Sequence, residues 1–241
     1  AGCGACGFPG CRAFAESLVE GKASPSQCSA SSAAAVSEIA AFLGVHAGER
    51  IKRVARVACA GGSHVARFQA NYRGLETCRA AALVSGGGKG CPWGCLGMGD
   101  CEAACPFGAI VMDENDLPVV DEDKCTACGE CVIACPKRLF SLHNSEHRLW
   151  VACSNRLAGP AADAECAVAC IACGRCVMDA PQGLMAMSGN LPAIDYVKNE
   201  LATLKVIERC PTGAIVWLDK EKGPIKGSKA RKVAPAEPAL Q

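Results

Sequence analysis

The sequence has few aromatic residues and no long apolar run. Only six Phe, three Trp and two Tyr occur among 241 residues, so the hydrophobic core is expected to be thin for a chain of this length. No stretch approaches the roughly 18 apolar residues that cross a membrane, and no segment has the pattern of a secretory signal peptide. The net charge of +1 gives no general attraction for nucleic acid. These absences predict a soluble protein that depends on cross-links for its stability.

Cysteine, in contrast, is abundant, with 20 residues. Disulfide bonds are the ordinary explanation, but they favour short secreted domains. The run Cys125-x2-Cys128-x2-Cys131-x3-Cys135-Pro136 matches the bacterial ferredoxin pattern for [4Fe–4S] clusters. Zinc sites instead use two C-x2-C pairs that are separated by a dozen or more residues. The spacing therefore favours iron–sulfur clusters over zinc or disulfides.

Residues 1–44 form the first predicted unit, a small helical domain with one [4Fe–4S] cluster. Phe14, Leu18 and Val19 indicate a short helix that Gly21 ends, and residues 31–43 indicate a second helix that ends at Gly44. The predicted ligands of this first cluster are Cys3, Cys6, Cys11 and Cys28.

Residues 45–150 form the second predicted unit, a ferredoxin-like domain with two clusters. A strand is expected at 51–58, a helix at 66–83, and a hairpin at 109–112 and 117–120. Upstream of the regular motif, Cys91-x3-Cys95-x5-Cys101-x3-Cys105-Pro106 is a stretched version of it. Since the fourth cysteine of each motif serves the other cluster, the predicted ligand sets are Cys91, Cys95, Cys101 and Cys135 for the second cluster, and Cys125, Cys128, Cys131 and Cys105 for the third.

Residues 151–218 form a third predicted unit, because segment 105–125 recurs at 180–199 with one residue deleted. The four positions that would bind one of its two clusters, at Ala180 and near Asn199, Ala202 and Lys205, carry no cysteine. This unit is therefore predicted to hold one cluster, with a helix at 199–208 in place of the lost loop. The predicted ligands of this fourth cluster are Cys170, Cys173, Cys176 and Cys210.

Four cysteines remain: Cys59, Cys78, Cys153 and Cys166. Cys59 and Cys153 each follow a similar strand ahead of a ferredoxin-like unit. We expect the four to bind a fifth cluster between the two units; two pairs of structural thiols, or a disulfide, are the alternatives.

Other patterns carry less information. The segment GGGKG at 86–90 lacks the spacing of a phosphate-binding loop and is expected to be a flexible lead into Cys91. Residues 219–241 are predicted to be a disordered basic tail. Neither a dinucleotide-binding motif nor a catalytic constellation is evident, so the sequence shows electron carriers without a substrate site.

Four blocks resemble one known family. Residues 3–11 (CGACGFPGC) with Cys28, residues 72–78 (YRGLETC), residues 86–110 with the block GCLGMGDC, and residues 117–136 are similar to the B subunit of the Rnf complex. The resemblance covers about residues 1–218. It implies a subunit of a membrane-associated, ion-translocating ferredoxin:NAD⁺ oxidoreductase that accepts electrons from reduced soluble ferredoxin. The other subunits of the complex hold the flavins and the nicotinamide site.

Two departures from that family leave an alternative open. Its members carry a membrane helix just before the first cysteine block, whereas this sequence begins with Ala1-Gly2, so that either the helix was removed or omitted or the chain is a soluble relative. The third unit is also predicted to have lost a cluster. The chain is thus either a peripheral Rnf-type subunit on the cytoplasmic face of the inner membrane or a soluble cytoplasmic polyferredoxin feeding a flavin-dependent or electron-bifurcating oxidoreductase. A regulatory or structural cluster protein is a third possibility. The expected fold class is α+β, and the expected activity is single-electron transfer along about five [4Fe–4S] clusters.

Overall fold

A computed structural model describes residues 2–49 and 51–233 of the chain. The helices are α1 Cys11–Val19, α2 Ala33–Leu43, α3 Cys78–Leu83, α4 Asp100–Ala103, α5 Glu130–Ala134, α6 Gly159–Glu165 and α7 Arg175–Asp179. The strands are β1 Arg53–Val57, β2 Ile110–Met112, β3 Pro118–Val120, β4 Phe140–Asn144, β5 Leu149–Val151, β6 Met185–Ser188, β7 Leu191–Ile194, β8 Ile215–Asp219 and β9 Gly223–Lys226. Short 3₁₀ helices lie at Pro25–Gln27, Ser85–Gly88, Tyr196–Leu201 and Leu204–Ile207. This mixture of short helices and strands agrees with the predicted α+β class.

The two helices of residues 2–49 confirm the sequence prediction. The Ser32 hydroxyl accepts a hydrogen bond from the Ala35 N–H at 3.1 Å and caps the start of α2, while Gly44 ends it in the left-handed conformation. Helix α1 stops just before Gly21, which also has a positive φ, and buries Phe14 and Leu18.

The remaining strands form two similar layouts that follow each other along the chain. In the first, β1 pairs antiparallel with β4, and β2 and β3 form the predicted hairpin between them in sequence. In the second, β5 pairs antiparallel with β8, and β6 and β7 form the enclosed hairpin. Each layout thus places a hairpin between an opening and a closing strand, as the sequence repeat predicts.

Backbone hydrogen bonds at equivalent positions of the two hairpins agree with this repeat. The N–H of Asp121 donates to the carbonyl of Ala109 at 2.8 Å, and the N–H of Asp195 donates to the carbonyl of Leu184 at the same distance. Both bonds close a hairpin against the residue that precedes its first strand. Residues 105–125 and 180–199 therefore share a local structure as well as a pattern.

The helix predicted over residues 66–83 is wrong for its first two thirds. Helix α3 covers only Cys78–Leu83 and begins where Thr77 caps the N–H of Ala80. Upstream of it, Ala66 and Phe68 form isolated bridges with Cys166 and Lys89. Because this backbone is extended and already paired, it is not available for helical hydrogen bonds.

The single helix predicted over residues 199–208 is also wrong. Two 3₁₀ helices replace it, and Ala202 and Thr203 between them have extended backbone angles. The β-branched residues Thr203, Val206 and Ile207 disfavour a helix. The break lets Val206 and Ile207 become fully buried.

The disordered tail predicted from residue 219 differs from the structure up to residue 233, and residues 234–241 lie outside the described residues. Strand β9 pairs with β8, and the chain then runs along residues 207–211. A Cβ atom at Gly227 would collide with the Ile207 carbonyl oxygen, so only glycine fits this crossing. Arg231 ends the segment by pairing with Asp163 on α6. The tail consequently holds in place the segment that carries Cys210.

The buried core is divided into small clusters instead of forming one large interior. The largest of these contains Leu149, Leu184, Val206, Ile207 and Ile215, and cysteines are members of three of the clusters. No helix within residues 2–49 and 51–233 has the length and apolar character needed to span a membrane.

An aromatic cluster joins the two layouts. The ring of His143 on β4 lies 4.9 Å from those of Trp150 and Tyr196, and His147 stacks on Tyr196 at 4.2 Å. The Trp150 indole N–H donates to the Val57 carbonyl at 2.9 Å. The cluster thus fixes β5 of the second layout against β1 and β4 of the first.

Acid should weaken this junction. Burial, and then the charges of His147, Arg56 and Arg53, lower the pKa of His143 from 6.5 to about 4. As pH falls below about 6.5 the unfolded chain takes up a proton at His143 that the folded chain does not, so the free energy of unfolding decreases towards pH 4. We predict that His143→Gln reduces the loss of Tm between pH 7.5 and pH 5.5.

Differential scanning fluorimetry of the reconstituted protein under anoxic conditions measures this effect. The exposed His46→Gln serves as the control, because acid damage to bound clusters affects both variants alike. An equal pH dependence in His143→Gln and the unsubstituted chain would contradict the prediction.

Candidate metal centres

Three loops present cysteines with the same backbone. They span residues 95–101, 125–131 and 170–176, and each leads into a short helix, α4, α5 or α7. The fifth residue of each loop is a glycine in the left-handed conformation that caps the helix, and the third residue also has a positive φ. These equivalent residues are Gly97 and Gly99, Ala127 and Gly129, and Ala172 and Gly174. The middle position of the loop is Cys128 or Cys173 in two cases and Met98 in the first.

The outer site consists of Cys105, Cys125, Cys128 and Cys131, which line one cavity. The Ala109 N–H donates to the Cys105 sulfur at 3.3 Å, and the Ala55 N–H donates to the Cys125 sulfur at 3.4 Å. Burial, followed by the neighbouring thiolates, raises the pKa of Cys131 to about 12. The structure brings together the four side chains that the sequence assigns to the third cluster.

The carboxy-terminal site consists of Cys170, Cys173, Cys176 and Cys210, which line a second cavity. Burial, and then the charges of the other three cysteines, raise the pKa of Cys176 to about 12. These are the four side chains that the sequence assigns to the fourth cluster. Cys173 is exposed, so this site reaches the surface of the molecule.

The bridging site lies between the two layouts, in a cavity lined by Cys59, Cys91, Cys153 and Cys166. A Cβ atom at Gly61 would approach the Cys166 sulfur to 2.9 Å, so this backbone is tightly fitted to the thiols. Three of the four cysteines belong to the set predicted for the fifth cluster. The fourth member of the cavity is Cys91, which the sequence assigns to the second cluster, and Cys78 is not among its lining residues.

We group Cys78 with Cys95, Cys101 and Cys135 as the inner site, because, after burial, charges within this group raise the pKa of Cys78, Cys95 and Cys101. Burial, and next the charges of Cys78 and Cys135, raise the pKa of Cys101 to about 12. Burial raises the pKa of Cys78, and hydrogen bonds from the Asp100 and Met98 backbone to its sulfur oppose this effect. Cys91 therefore lines the bridging cavity, and Cys78 lies outside it.

The four sites form a continuous series. The Cys95 N–H donates to the Cys59 sulfur at 3.4 Å, which connects the inner and bridging sites. The Cys170 N–H donates to the Cys153 sulfur at 3.3 Å, which connects the bridging and carboxy-terminal sites. Helix α4 joins the inner and outer sites, since Cys101 lies within it and Cys105 just beyond its end.

The N-terminal cysteines, Cys3, Cys6, Cys11 and Cys28, lie around the start of α1 and the 3₁₀ helix that follows it. The Gly2 N–H donates to the Cys11 sulfur at 3.3 Å and lowers the pKa of that thiol. The Ser31 hydroxyl donates to the Cys28 sulfur at 3.2 Å. These contacts show donors directed at two of the four sulfur atoms.

The chemistry of these sites fits [4Fe–4S] clusters. None of the twenty cysteines, all of which lie in the described residues, forms a disulfide bond. Backbone N–H groups point at several sulfur atoms, as they do around iron–sulfur clusters, where such bonds help to set the reduction potential. Within residues 2–49 and 51–233 no three such side chains converge on one metal ion, whereas in a cubane each thiolate binds a different iron.

Ala180 has the same backbone position in the second layout as Cys135 has in the first. It ends α7 in an extended conformation, and its N–H donates to the Cys176 carbonyl at 3.0 Å. Cys135 ends α5 in the same way, and its N–H donates to the Cys131 carbonyl at 3.2 Å. The Ala180 side chain packs against the apolar core of the second layout.

Comparisons with known proteins agree with this picture. Residues 1–30 match a family model described as a putative Fe-S cluster, and residues 89–139 match a 4Fe-4S dicluster domain. The B subunit of the Na⁺-translocating ferredoxin:NAD⁺ oxidoreductase complex of Acetobacterium woodii is 43% identical over 89% of this chain and 64% of its own length. The B subunit of the proton-translocating ferredoxin:NAD⁺ oxidoreductase complex of Clostridium ljungdahlii is 38% identical over 88% of this chain and 76% of its own.

The chain belongs to the Rnf B-subunit family. A third relative, the B subunit of the ion-translocating oxidoreductase complex of Methanosarcina acetivorans, is 36% identical over 89% of this chain and 81% of its own length. This Rnf-type chain spans slightly less than two thirds of the length of its Acetobacterium woodii relative.

Proposed function

We propose that this chain transfers single electrons along five [4Fe–4S] clusters as the B-type subunit of an Rnf-like oxidoreductase complex. The observation that carries the proposal is the continuous series of four buried thiol sites, linked by Cys59–Cys95 and Cys153–Cys170 contacts, in a member of the Rnf B-subunit family. The N-terminal cysteines provide the fifth site. The units at 1–44, 45–150 and 151–218 then carry one, two and one clusters, with one more between the last two.

The residues of the chain hold, insulate and separate the clusters, which supply the one-electron chemistry when bound. Thiols that are protonated in the metal-free chain must lose their protons to bind iron. Backbone N–H groups such as those of Ala55 and Ala109 then direct partial positive charge at the ligand sulfur atoms. The short segments between the sites keep neighbouring clusters close to one another. The apolar residues around them limit the access of water to the clusters.

Membership of this family supports an electron donor and an electron acceptor for the series of clusters. The relatives' names describe ferredoxin:NAD⁺ oxidoreductase complexes. We therefore propose that reduced ferredoxin is the electron donor of this chain and that other subunits of a membrane complex receive the electrons. Such a role places the chain peripherally on the cytoplasmic face of the inner membrane.

The cluster number is directly measurable. We predict that the chain, reconstituted under anoxic conditions, binds about twenty iron atoms, since each [4Fe–4S] cluster has four cysteine ligands. Iron and acid-labile sulfide analysis checks this prediction. Ala180→Cys is a matched control that should leave the iron content unchanged, because the other three ligands of that position are absent. An iron content of about twelve, or zinc in place of iron, would contradict five clusters.

The partners provide a second prediction. Affinity isolation of the tagged chain from its own cells, under anoxic conditions and in mild detergent, should recover integral membrane subunits of an oxidoreductase. Recovery of a soluble flavoenzyme without membrane subunits would instead support the soluble polyferredoxin alternative. Reduced ferredoxin should also reduce the isolated chain, and failure of that reaction would exclude ferredoxin as the donor.

A further inference from the structure

We infer that Cys78 replaces the missing middle ligand of the first cysteine loop, and that Cys91 thereby becomes a ligand of the cluster between the two layouts. This inference rests on the proposed five-cluster function and assigns eight cysteines to two of its sites. The inner site then has Cys78, Cys95, Cys101 and Cys135 as its ligands, and the bridging site has Cys59, Cys91, Cys153 and Cys166.

The first argument is the equivalence of the three loops. Cys128 and Cys173 lie between a residue with positive φ and a left-handed glycine, and Met98 lies between Gly97 and Gly99 in the same conformations. The loop at 95–101 is therefore a regular C-x2-C-x2-C loop whose central cysteine is methionine. It already has its first and third ligands, Cys95 and Cys101, and needs one more thiol at the centre.

The second argument is the position of Cys78. The Asp100 carboxylate accepts hydrogen bonds from the N–H groups of Cys78 at 2.8 Å and Arg79 at 3.1 Å. This holds the start of α3 against the loop. The backbone of Asp100 and Met98 in turn opposes the rise that burial causes in the pKa of the Cys78 thiol, so this thiol lies beside the loop. A thiol from a different segment thus lies beside the residue that replaced the loop cysteine.

The third argument is the position of Cys91. It lines the cavity of the bridging site together with Cys59 and Cys166, and, after burial, the thiol charges that raise the pKa of Cys166 are those of Cys59 and Cys91. Cys153, two residues after strand β5, completes the set in the same cavity. Each of the two sites then has four thiols, and none is used twice.

Single Cys→Ser variants test this assignment through the electron paramagnetic resonance spectrum of the reduced protein. A serine ligand changes the signal of its own cluster, so C78S and C101S should alter one signal, and C91S and C59S should alter a different one. The reverse pairing, C78S with C59S and C91S with C101S, would overturn the inference.

A rescue experiment makes the test independent of folding losses. Cys78→Ala should lose the iron of one cluster, and adding Met98→Cys should restore both the iron and the signal. Met98→Cys combined with Cys91→Ala should restore nothing. Rescue of Cys91→Ala and not of Cys78→Ala would overturn the assignment. If the unsubstituted chain itself binds fewer than five clusters, that result would instead count against the proposed function.

A different observation supports a second inference: we propose that Lys89 is the positive counter-charge of the bridging site. Its side chain is only 8% exposed. Its ammonium donates to the carbonyl of Gly61 at 2.5 Å and to that of Cys95 at 2.6 Å, and it lies 5.6 Å from the centre of the Phe68 ring. Lys89 takes part in none of the salt bridges found among the described residues.

A buried ammonium without a carboxylate partner is costly unless another negative charge lies nearby. Lys89 lines the same cavity as Cys59, Cys91 and Cys166, and its charge acts on the Cys91 and Cys166 thiols. Thiolates bound to iron supply the missing negative charge. Because the site has a low dielectric, the ammonium should favour the reduced, more negative form of a cluster held there.

Potentiometric titration of the holoprotein tests this inference. Lys89→Met should shift the midpoint potential of the signal altered by C91S to a more negative value, should shift the signal altered by C101S less, because the ammonium also contacts the Cys95 carbonyl, and should leave the signals of the outer and carboxy-terminal sites unchanged. Lys124→Met is the control: this exposed lysine next to Cys125 pairs with Asp121, and water screens its charge. An unchanged potential in Lys89→Met, even with a lower Tm, would show a purely structural role and overturn the inference.

Discussion

The structure depends on groups of four thiols held together in an apolar interior, where their negative charges need a positive partner. Burial and mutual repulsion raise the pKa of Cys95, Cys101, Cys131, Cys153 and Cys176 to about 12. The metal-free chain therefore keeps these groups protonated. Iron replaces those protons, so cluster binding and the stability of the surrounding segments are coupled. Such coupling explains how a chain with only eleven aromatic residues can hold several short helices and strands in place.

One local backbone arrangement recurs at three places and carries five of the twenty cysteines. A left-handed glycine that leads into a short helix recurs at Gly99, Gly129 and Gly174, and the residues that follow α5 and α7, Cys135 and Ala180, are extended. The helix carries one cysteine for the site on its own side, and the residue beyond it reaches the neighbouring site. Because the arrangement needs little more than glycine and cysteine at fixed spacing, it can be repeated without a large apolar core. The bridging site differs, since its four cysteines come from four separate segments.

This difference explains how far the sequence could predict the sites. The outer and carboxy-terminal groups were predictable because most of their ligands lie within one motif, and the repeat supplied the rest. The assignment that we propose exchanges Cys78 and Cys91, since linear spacing made Cys91 the natural start of the stretched motif. The signal that could have corrected this was Gly97-Met98-Gly99, which aligns with Ala127-Cys128-Gly129. The buried position of Lys89 had no sequence signal at all, because it depends on the carbonyls of Gly61 and Cys95 in other segments.

The second layout shows what replaces a cluster when its ligands are lost. Leu184, Val206 and Ile207 are fully buried there, and Ala180 packs against the same core. The corresponding core of the first layout is smaller and includes Cys101 and Cys131. Each fully buried Leu, Ile or Val contributes about 1.5–3 kcal/mol relative to an exposed one, so these side chains stabilise an interior that a cluster would otherwise hold. The extended break at Ala202 and Thr203 helps to form this apolar core, because it turns Val206 and Ile207 inward. It also brings Cys210 to the carboxy-terminal site. We therefore interpret the four missing cysteines and this apolar core as two parts of a single structural change.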